Sequence, residues 1–67
     1  MHVYINSEYR ELPNTVNTVS KLIKYLQLPT QGTGVAINNH LILARNWDGT
    51  SFKDDDRIVI ISATYGG

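Results

Sequence analysis

The feature that most limits the possible folds is the apolar run Ile58-Val59-Ile60-Ile61. A short run of β-branched residues is typical of a strand. Side chains alternate between the faces of a strand, so Ile58 and Ile60 share one face, and Val59 and Ile61 share the other. Both faces are apolar, which is typical of a strand inside a sheet. The sequence therefore predicts a central last strand.

The chain offers little material for covering both faces of such a strand. It has 67 residues and no cysteine, so we expect one domain, residues 1–67, held together by apolar packing without disulfides. A single helix covers only one face of a sheet. Val59 and Ile61 are then expected on an open face, where an apolar patch marks a partner site. The alternative is that neighbouring side chains partly shield them.

Charge and hydropathy exclude several classes of protein. Six basic and six acidic residues balance to zero and form no basic stripe, which argues against nucleic-acid binding. No apolar run approaches the roughly 20 residues of a membrane span, and the first residues lack the pattern of a signal peptide. The absence of cysteine fits a reducing compartment. We expect a cytoplasmic protein that acts away from membranes.

The remaining elements are predicted from apolar spacing and turn residues. Asn38-Asn39 predicts a tight turn because asparagine tolerates positive φ. Pro13 ends an earlier strand because proline cannot donate to a ladder. Together with the last run, the strand patterns form two hairpins and a final strand, with the hairpin strands at residues 2–5, 9–12, 35–37 and 41–43. Asn6-Ser7-Glu8 is expected to be a turn, and His40 is expected in the turn at Asn38-Asn39.

Residues 45–49 are expected to form an irregular crossover or a single helical turn. Trp47 is expected over the edge of the core, since large aromatic residues dominate apolar burial.

One helix is predicted between the hairpins. Its apolar stripe has the spacing i, i+3, i+4 and i+7, at Val19, Leu22, Ile23 and Leu26. Thr18 is the expected N-cap, because its hydroxyl can accept a backbone N–H of the first turn. The helix should end near Leu28, before Pro29.

Several other patterns suggest sites but fit them poorly. The loop with Gly32 and Gly34 follows a helix and leads into a strand, whereas a phosphate loop does the reverse. The aspartates 54–56 lack the spacing of a calcium loop and are expected to form a solvated turn. His2 and His40 are better interpreted as surface histidines than as metal ligands. We expect no catalytic residue and no metal site.

The sequence closes on Gly66-Gly67, and this ending permits a specific chemistry. Glycine lacks Cβ, so a diglycine can thread a narrow channel and present an unhindered carboxylate. ATP can activate a carboxylate as an acyl-adenylate. The alternative interpretation is an inert terminus, since chain ends are usually disordered. Residues 64–67 are expected to be a flexible tail.

The order ββαββ, with one helix over a mixed sheet of about five strands, resembles the α+β fold called β-grasp or ubiquitin-like, although an OB barrel stays possible. In a β-grasp the first and last strands lie side by side and parallel. Over its whole length the chain resembles the ThiS family, the sulfur carriers of thiamine biosynthesis. The resemblance lies in Val3-Tyr4-Ile5-Asn6, Thr18-Val19, Leu22-Ile23, Val35-Ala36-Ile37-Asn38, Trp47, the acidic turn before Ile58, and Gly66-Gly67.

The resemblance implies a function. A ThiF-like adenylating enzyme would use ATP to activate the carboxylate of Gly67, a persulfide would supply sulfur, and the thiocarboxylate would serve a ThiG-like thiazole synthase. Gly66 would keep the tail slender, and Val59, Ile61 and Tyr65 are the candidate docking residues. The chain itself would be no enzyme and would hold no permanent cofactor.

The sequence also departs from the family, and other functions stay open. Asp55 stands where relatives often have glycine, so it is expected to adopt a positive φ, which aspartate accepts better than most residues. Tyr65 stands where relatives commonly have a smaller residue. The alternatives are a carrier for molybdopterin synthesis, a ubiquitin-like modifier that links Gly67 to lysines, and a β-grasp interaction module with an inert tail.

Overall fold

The computed structural model describes residues 1–62, and residues 63–67 lie outside the described part. The first hairpin, the helix, the second hairpin and the last strand follow one another in the order that the sequence predicts. A 3-10 helix, Ala44–Gly49, stands where a crossover or single helical turn was expected. The other elements are β1 (His2–Ile5), β2 (Glu8–Glu11), α1 (Val19–Tyr25), β3 (Gly34–Ile37), β4 (His40–Ile42) and β5 (Arg57–Ile61).

The described strands form one mixed sheet in the order β2-β1-β5-β3-β4. The last strand, β5, is central, as predicted. It runs parallel to β1, with Tyr4 opposite Arg57 and Ile5 opposite Ile58, and antiparallel to β3. This arrangement, with α1 on one face, confirms the predicted β-grasp fold.

The core lies between α1 and one face of the sheet. Val3, Ile5, Ile58 and Ile60 are fully or almost fully buried there. From the predicted helical stripe, Val19, Leu22 and Ile23 are buried and Leu26 packs against the core from its edge. The helical stripe and the inward-facing residues of the strands therefore pack into one hydrophobic core. Its other members are Leu12, Val16, Val35, Ile37, Trp47 and Phe52.

The start of α1 was predicted correctly, and its end was not. The Thr18 side chain accepts a hydrogen bond from the Lys21 backbone N–H at 3.3 Å, so Thr18 is the N-cap. The helix ends at Tyr25, three residues before the predicted Leu28. Gln27 has φ 59°, and the two N–H groups of Gln27 and Leu28 bond back to the helix at Lys24 O and Ile23 O. This pair of bonds is a Schellman motif, which stops a helix.

Two strands are shifted by one residue from the prediction. We expected strands at 9–12 and 41–43, whereas β2 is Glu8–Glu11 and β4 is His40–Ile42. His40, expected in the turn, is therefore the first residue of β4. The turn itself, Asn38-Asn39, has φ values of 50° and 71°. A two-residue hairpin turn of type I′ requires a positive φ at both of these positions.

Trp47 lies deeper than predicted. The sequence suggested a position over the edge of the core, but only 3% of its surface is exposed. Its indole Nε1–H donates to the Ile42 carbonyl oxygen at 2.9 Å. A buried tryptophan needs such a partner for its polar atom, and this bond ties the 3-10 helix to the end of β4.

The acidic turn is only partly solvated, which corrects the prediction. Asp54 and Asp55 are exposed, and Asp55 adopts the positive φ expected of it, 71°. Asp56 is buried instead. Its carboxylate accepts the Lys53 backbone N–H at 2.9 Å and the Asn38 side-chain amide at 3.1 Å. Because these donors replace water, the carboxylate can leave solvent and tie the turn to the second hairpin.

Candidate functional site

The outer face of β5 is apolar and exposed. Val59 is 45% exposed and Ile61 61%, whereas Ile58 and Ile60 on the inner face are at most 1% exposed. The predicted division of this strand into a core face and an open face is thus confirmed. Whether Val59 and Ile61 dock a partner stays a prediction.

The register of the sheet extends this exposed patch across three strands. Ala36 of β3 lies opposite both Val59 and Leu41, and Leu41 is 71% exposed. Gly34 lies opposite Ile61 and has no side chain to cover it. We call Val59, Ile61 and Leu41 the apolar open surface. Leu41 was missed in the sequence, although its alternation with the inward positions of the second hairpin could have identified it.

The other half of the same face is aromatic and charged. The ring of His2 stacks on Tyr9, with centroids 5.2 Å apart, and Tyr9 also contacts Tyr4 at 5.0 Å. The Arg57 guanidinium lies 4.7 Å from the centroid of the Tyr4 ring. His2 also faces Glu11, with 3.5 Å between Nε2 and the carboxylate. Arg57 and Val59 occupy successive outward-facing positions of β5. The aromatic half is therefore continuous with the apolar open surface.

The surroundings of Tyr9 in this half of the face shift the pKa of its hydroxyl. Partial desolvation, and then the negative charge of Asp55, raise the pKa of the Tyr9 hydroxyl above its ordinary value. Tyr9 is therefore a neutral hydrogen-bonding group at physiological pH. The cation on this part of the face is Arg57, which is always charged.

The predicted reactive residues are close to this face along the chain. Tyr65, Gly66 and Gly67 lie outside the described residues. Five residues follow Ser62 in the sequence. Since an extended residue spans at most about 3.6 Å, five residues reach at most about 18 Å from Ser62.

The described residues do not assemble a metal site. Within residues 1–62, no group of three or more His, Cys, Asp or Glu side chains is placed to hold an ion. That part of the chain also has no helix with the length and hydropathy of a membrane span.

A groove of about 230 Å³ lies on the helical side, between α1 and the 3-10 helix. Its apolar lining comes from Ile23, Leu28 and Trp47. The hydroxyl of Ser20 is hydrogen-bonded to the Asp48 carboxylate at its edge. The groove is built on α1, which covers the inner face of the sheet, so it is separate from the open face.

Comparisons with known proteins extend these observations. The model of the ThiS family matches residues 3–67. A crystal structure of the thiamine biosynthesis protein ThiS from Geobacter metallireducens superposes with a TM-score of 0.82 at 20% identity, over 100% of both chains. A solution NMR structure of a thiamine biosynthesis protein from the same organism gives a TM-score of 0.80 at 20% identity, over 100% of this chain and 88% of the other. The comparison with curated proteins found no match.

The two structures share the fold of this chain, and the family match covers almost all of its sequence, including both terminal glycines. The resemblance noted in the sequence is confirmed: the chain belongs to the ThiS family.

Proposed function

We propose that this chain is a sulfur carrier for thiamine biosynthesis, whose reactive group is the carboxylate of Gly67. The observation that carries the proposal is the family match over residues 3–67, which includes the terminal diglycine. The protein would be a co-substrate that other enzymes load and unload, and it would not be a catalyst itself.

The chemistry follows from the properties of a carboxylate. As an anion it resists nucleophiles until one of its oxygens becomes a leaving group. A ThiF-like enzyme lets the Gly67 carboxylate attack the α-phosphorus of ATP, which releases pyrophosphate and gives the acyl-adenylate. The terminal sulfur of a persulfide then attacks the acyl carbon and expels AMP. The product is an acyl disulfide with the donor. A thiol attacks the donor's sulfur in its S–S bond, forms a disulfide with the donor and releases the thiocarboxylate, which a ThiG-like thiazole synthase uses as its sulfur source.

The open face supplies the docking surface in this proposal. Val59, Ile61 and Leu41 expose apolar side chains on one face, which is the character of a partner site. Val59 and Ile61 lie on the strand that leads to Gly67, and Leu41 lies two strands away on β4. Tyr65, between that strand and the diglycine, is the proposed contact nearest the reaction. Gly66 provides the slender approach to it.

A one-residue extension tests the role of Gly67. Adding alanine after Gly67 moves the carboxylate and leaves the described domain unchanged, so we expect loading with sulfur to be lost and thermal unfolding to stay the same. The readout is the intact mass after incubation with ATP, the adenylating enzyme and a sulfur donor. Normal loading of the extended chain would contradict the proposal.

A charge on the open face tests docking. Because Ile61 is exposed, Ile61→Asp should leave the fold intact but raise the KM of the adenylating enzyme for the carrier by at least about tenfold, as for a central interface residue. The matched control is Gln31→Asp, which puts the same charge in the exposed loop between α1 and β3. Equal KM values for the two variants would remove Ile61 from the interface, and a collapse of the melting temperature would place it in the core.

A further inference from the structure

Two asparagines at matching positions bond to β5 with their side chains. Asn6 and Asn38 each follow a buried strand and open a hairpin turn, with φ values of 51° and 50°. Both use their carboxamide groups on β5 or on the residue just before it. They act at different ends of that strand.

Asn6 bonds near the carboxyl end of β5. Its Oδ1 accepts the Ile60 backbone N–H at 2.8 Å, and its Nδ2 donates to the Ile60 carbonyl oxygen at 3.0 Å. β1 has already ended at Ile5, so no further β1 residue continues the parallel ladder there. The carboxamide combines an N–H donor with a carbonyl acceptor, as a peptide group does. Asn6 therefore extends the pairing of β5 beyond the end of β1.

Asn38 uses the same two side-chain atoms at the amino end of β5. Its Oδ1 accepts the Arg57 backbone N–H at 2.9 Å, and its Nδ2 donates to the Asp56 carboxylate at 3.1 Å. Arg57 is the first residue of β5, at the opposite end from the C-terminal residues. The two asparagines thus share their chemistry and turn position and differ in where they bond along the strand.

We infer that Asn6 is a positioning residue that fixes the segment from which the reactive terminus extends. We call Ile60, Ile61 and Ser62 the tail root. Ile60 and Ser62 are buried, while Ile61 between them belongs to the apolar open surface. By bonding both polar backbone atoms of Ile60, Asn6 sets the position of Ile61 and the direction in which the chain leaves the sheet. The inference rests on the proposed function, because it assigns Asn6 to the same loading reaction.

The consequence for loading is a change in KM. Without Asn6 the tail root detaches more often from the β1 side of the sheet, and only a fraction of the molecules is ready to dock. The apparent dissociation constant rises as the inverse of that fraction. Once docked, the carrier is ordered by the enzyme, so kcat should stay the same.

The experiment compares Asn6→Gly with Asn38→Gly. Glycine keeps the positive φ of each turn and removes only the carboxamide. We expect both variants to lose thermal stability, because each loses two hydrogen bonds. Both are part-buried in Asn6→Gly, whereas one is part-buried and one exposed in Asn38→Gly. Lower overall stability speeds amide exchange in both variants, but exchange at Ile60 should speed up about tenfold more in Asn6→Gly than in Asn38→Gly, the size expected for one to two net hydrogen bonds. The KM of the adenylating enzyme for the carrier should rise several-fold with kcat unchanged.

The outcomes separate positioning from stability. Equal KM values for the two variants, or an unchanged KM in Asn6→Gly, would overturn the inference. If Asn6→Gly does not fold, Asn6→Asp is the second variant. It keeps an acceptor for the Ile60 N–H but sets a carboxylate oxygen against the Ile60 carbonyl oxygen, so the KM should still rise. No rise would overturn the inference. If the natural chain is never loaded, the proposed function fails, and amide exchange alone decides the inference. A larger increase in exchange at Ile60 in Asn6→Gly than in Asn38→Gly supports the assignment of the tail root. An equal or smaller increase overturns it.

Discussion

Two adjacent residues of β5 allow the division between core face and open face to be measured. Ile60 is fully buried, and Ile61, the next residue, is 61% exposed. Replacing each with valine removes one methylene and keeps both the β-branched shape and the strand propensity. Any difference between the two variants therefore reports the surroundings of the side chain.

The expected magnitudes follow from burial. Ile60→Val should lower the free energy of unfolding by about 0.5 to 1.5 kcal/mol, because it leaves a cavity under α1. Ile61→Val should change it by less than about 0.5 kcal/mol, as for surface substitutions. The alanine pair enlarges the contrast, since Ile60→Ala should cost about 2 to 5 kcal/mol. A domain of this size has only about 3 to 10 kcal/mol in total, so Ile60→Ala should be close to unfolding.

Urea unfolding followed by tryptophan fluorescence measures these differences. Trp47 is the only tryptophan and is 3% exposed, so its emission reports loss of the core. The midpoints should separate while the slopes stay equal, which identifies a change in stability alone. In thermal melts, 1 kcal/mol corresponds to about 4 to 8 °C for a domain of this size. Equal destabilisation by Ile60→Val and Ile61→Val would refute the assignment of an open face and, with it, the docking surface.

Three further substitutions test particular contacts by thermal or urea unfolding. Asp56→Ala should cost about 1 to 3 kcal/mol, because it leaves buried donors without partners; the same change at exposed Asp54 should cost clearly less, and equal costs would contradict the burial of Asp56. Thr18→Ala should cost about 1 kcal/mol through loss of the N-cap, and an unchanged midpoint would mean that the cap contributes nothing. Asp55→Gly should be neutral or stabilise the domain by up to about 1 kcal/mol, because glycine accepts φ 71° without strain; a clear loss of stability would show that the Asp55 side chain contributes a contact.

Much of the fold could be predicted because local signals agree with the final packing. The helical stripe of Val19, Leu22 and Ile23 and the alternation along β5 each show a regular spacing of apolar residues. Each spacing is enough to predict which residues face the core. The end of α1 was missed because Gln27 adopts a left-handed conformation that usually indicates glycine or asparagine. That conformation depends on how the following residues bond back to the helix.

The polar contacts were harder to predict because they join distant residues. Asn6 was correctly placed in a turn, but its partner Ile60 is 54 residues away, and only the parallel pairing of β1 with β5 brings them together. Asp56 was expected in solvent because neighbouring aspartates suggest a solvated turn. Its burial depends on donors from Lys53 and Asn38, and Asn38 lies in the turn of the second hairpin.

The most direct test of the proposed function is the intact mass of the natural chain after incubation with ATP, a ThiF-like adenylating enzyme, a persulfide donor and a thiol. We predict the mass change of one oxygen replaced by one sulfur, located on Gly67 by fragmentation. An unchanged mass with an enzyme shown to be active on another carrier would contradict the proposal and favour an interaction module, while an amide link from Gly67 to another protein's lysine would identify a modifier.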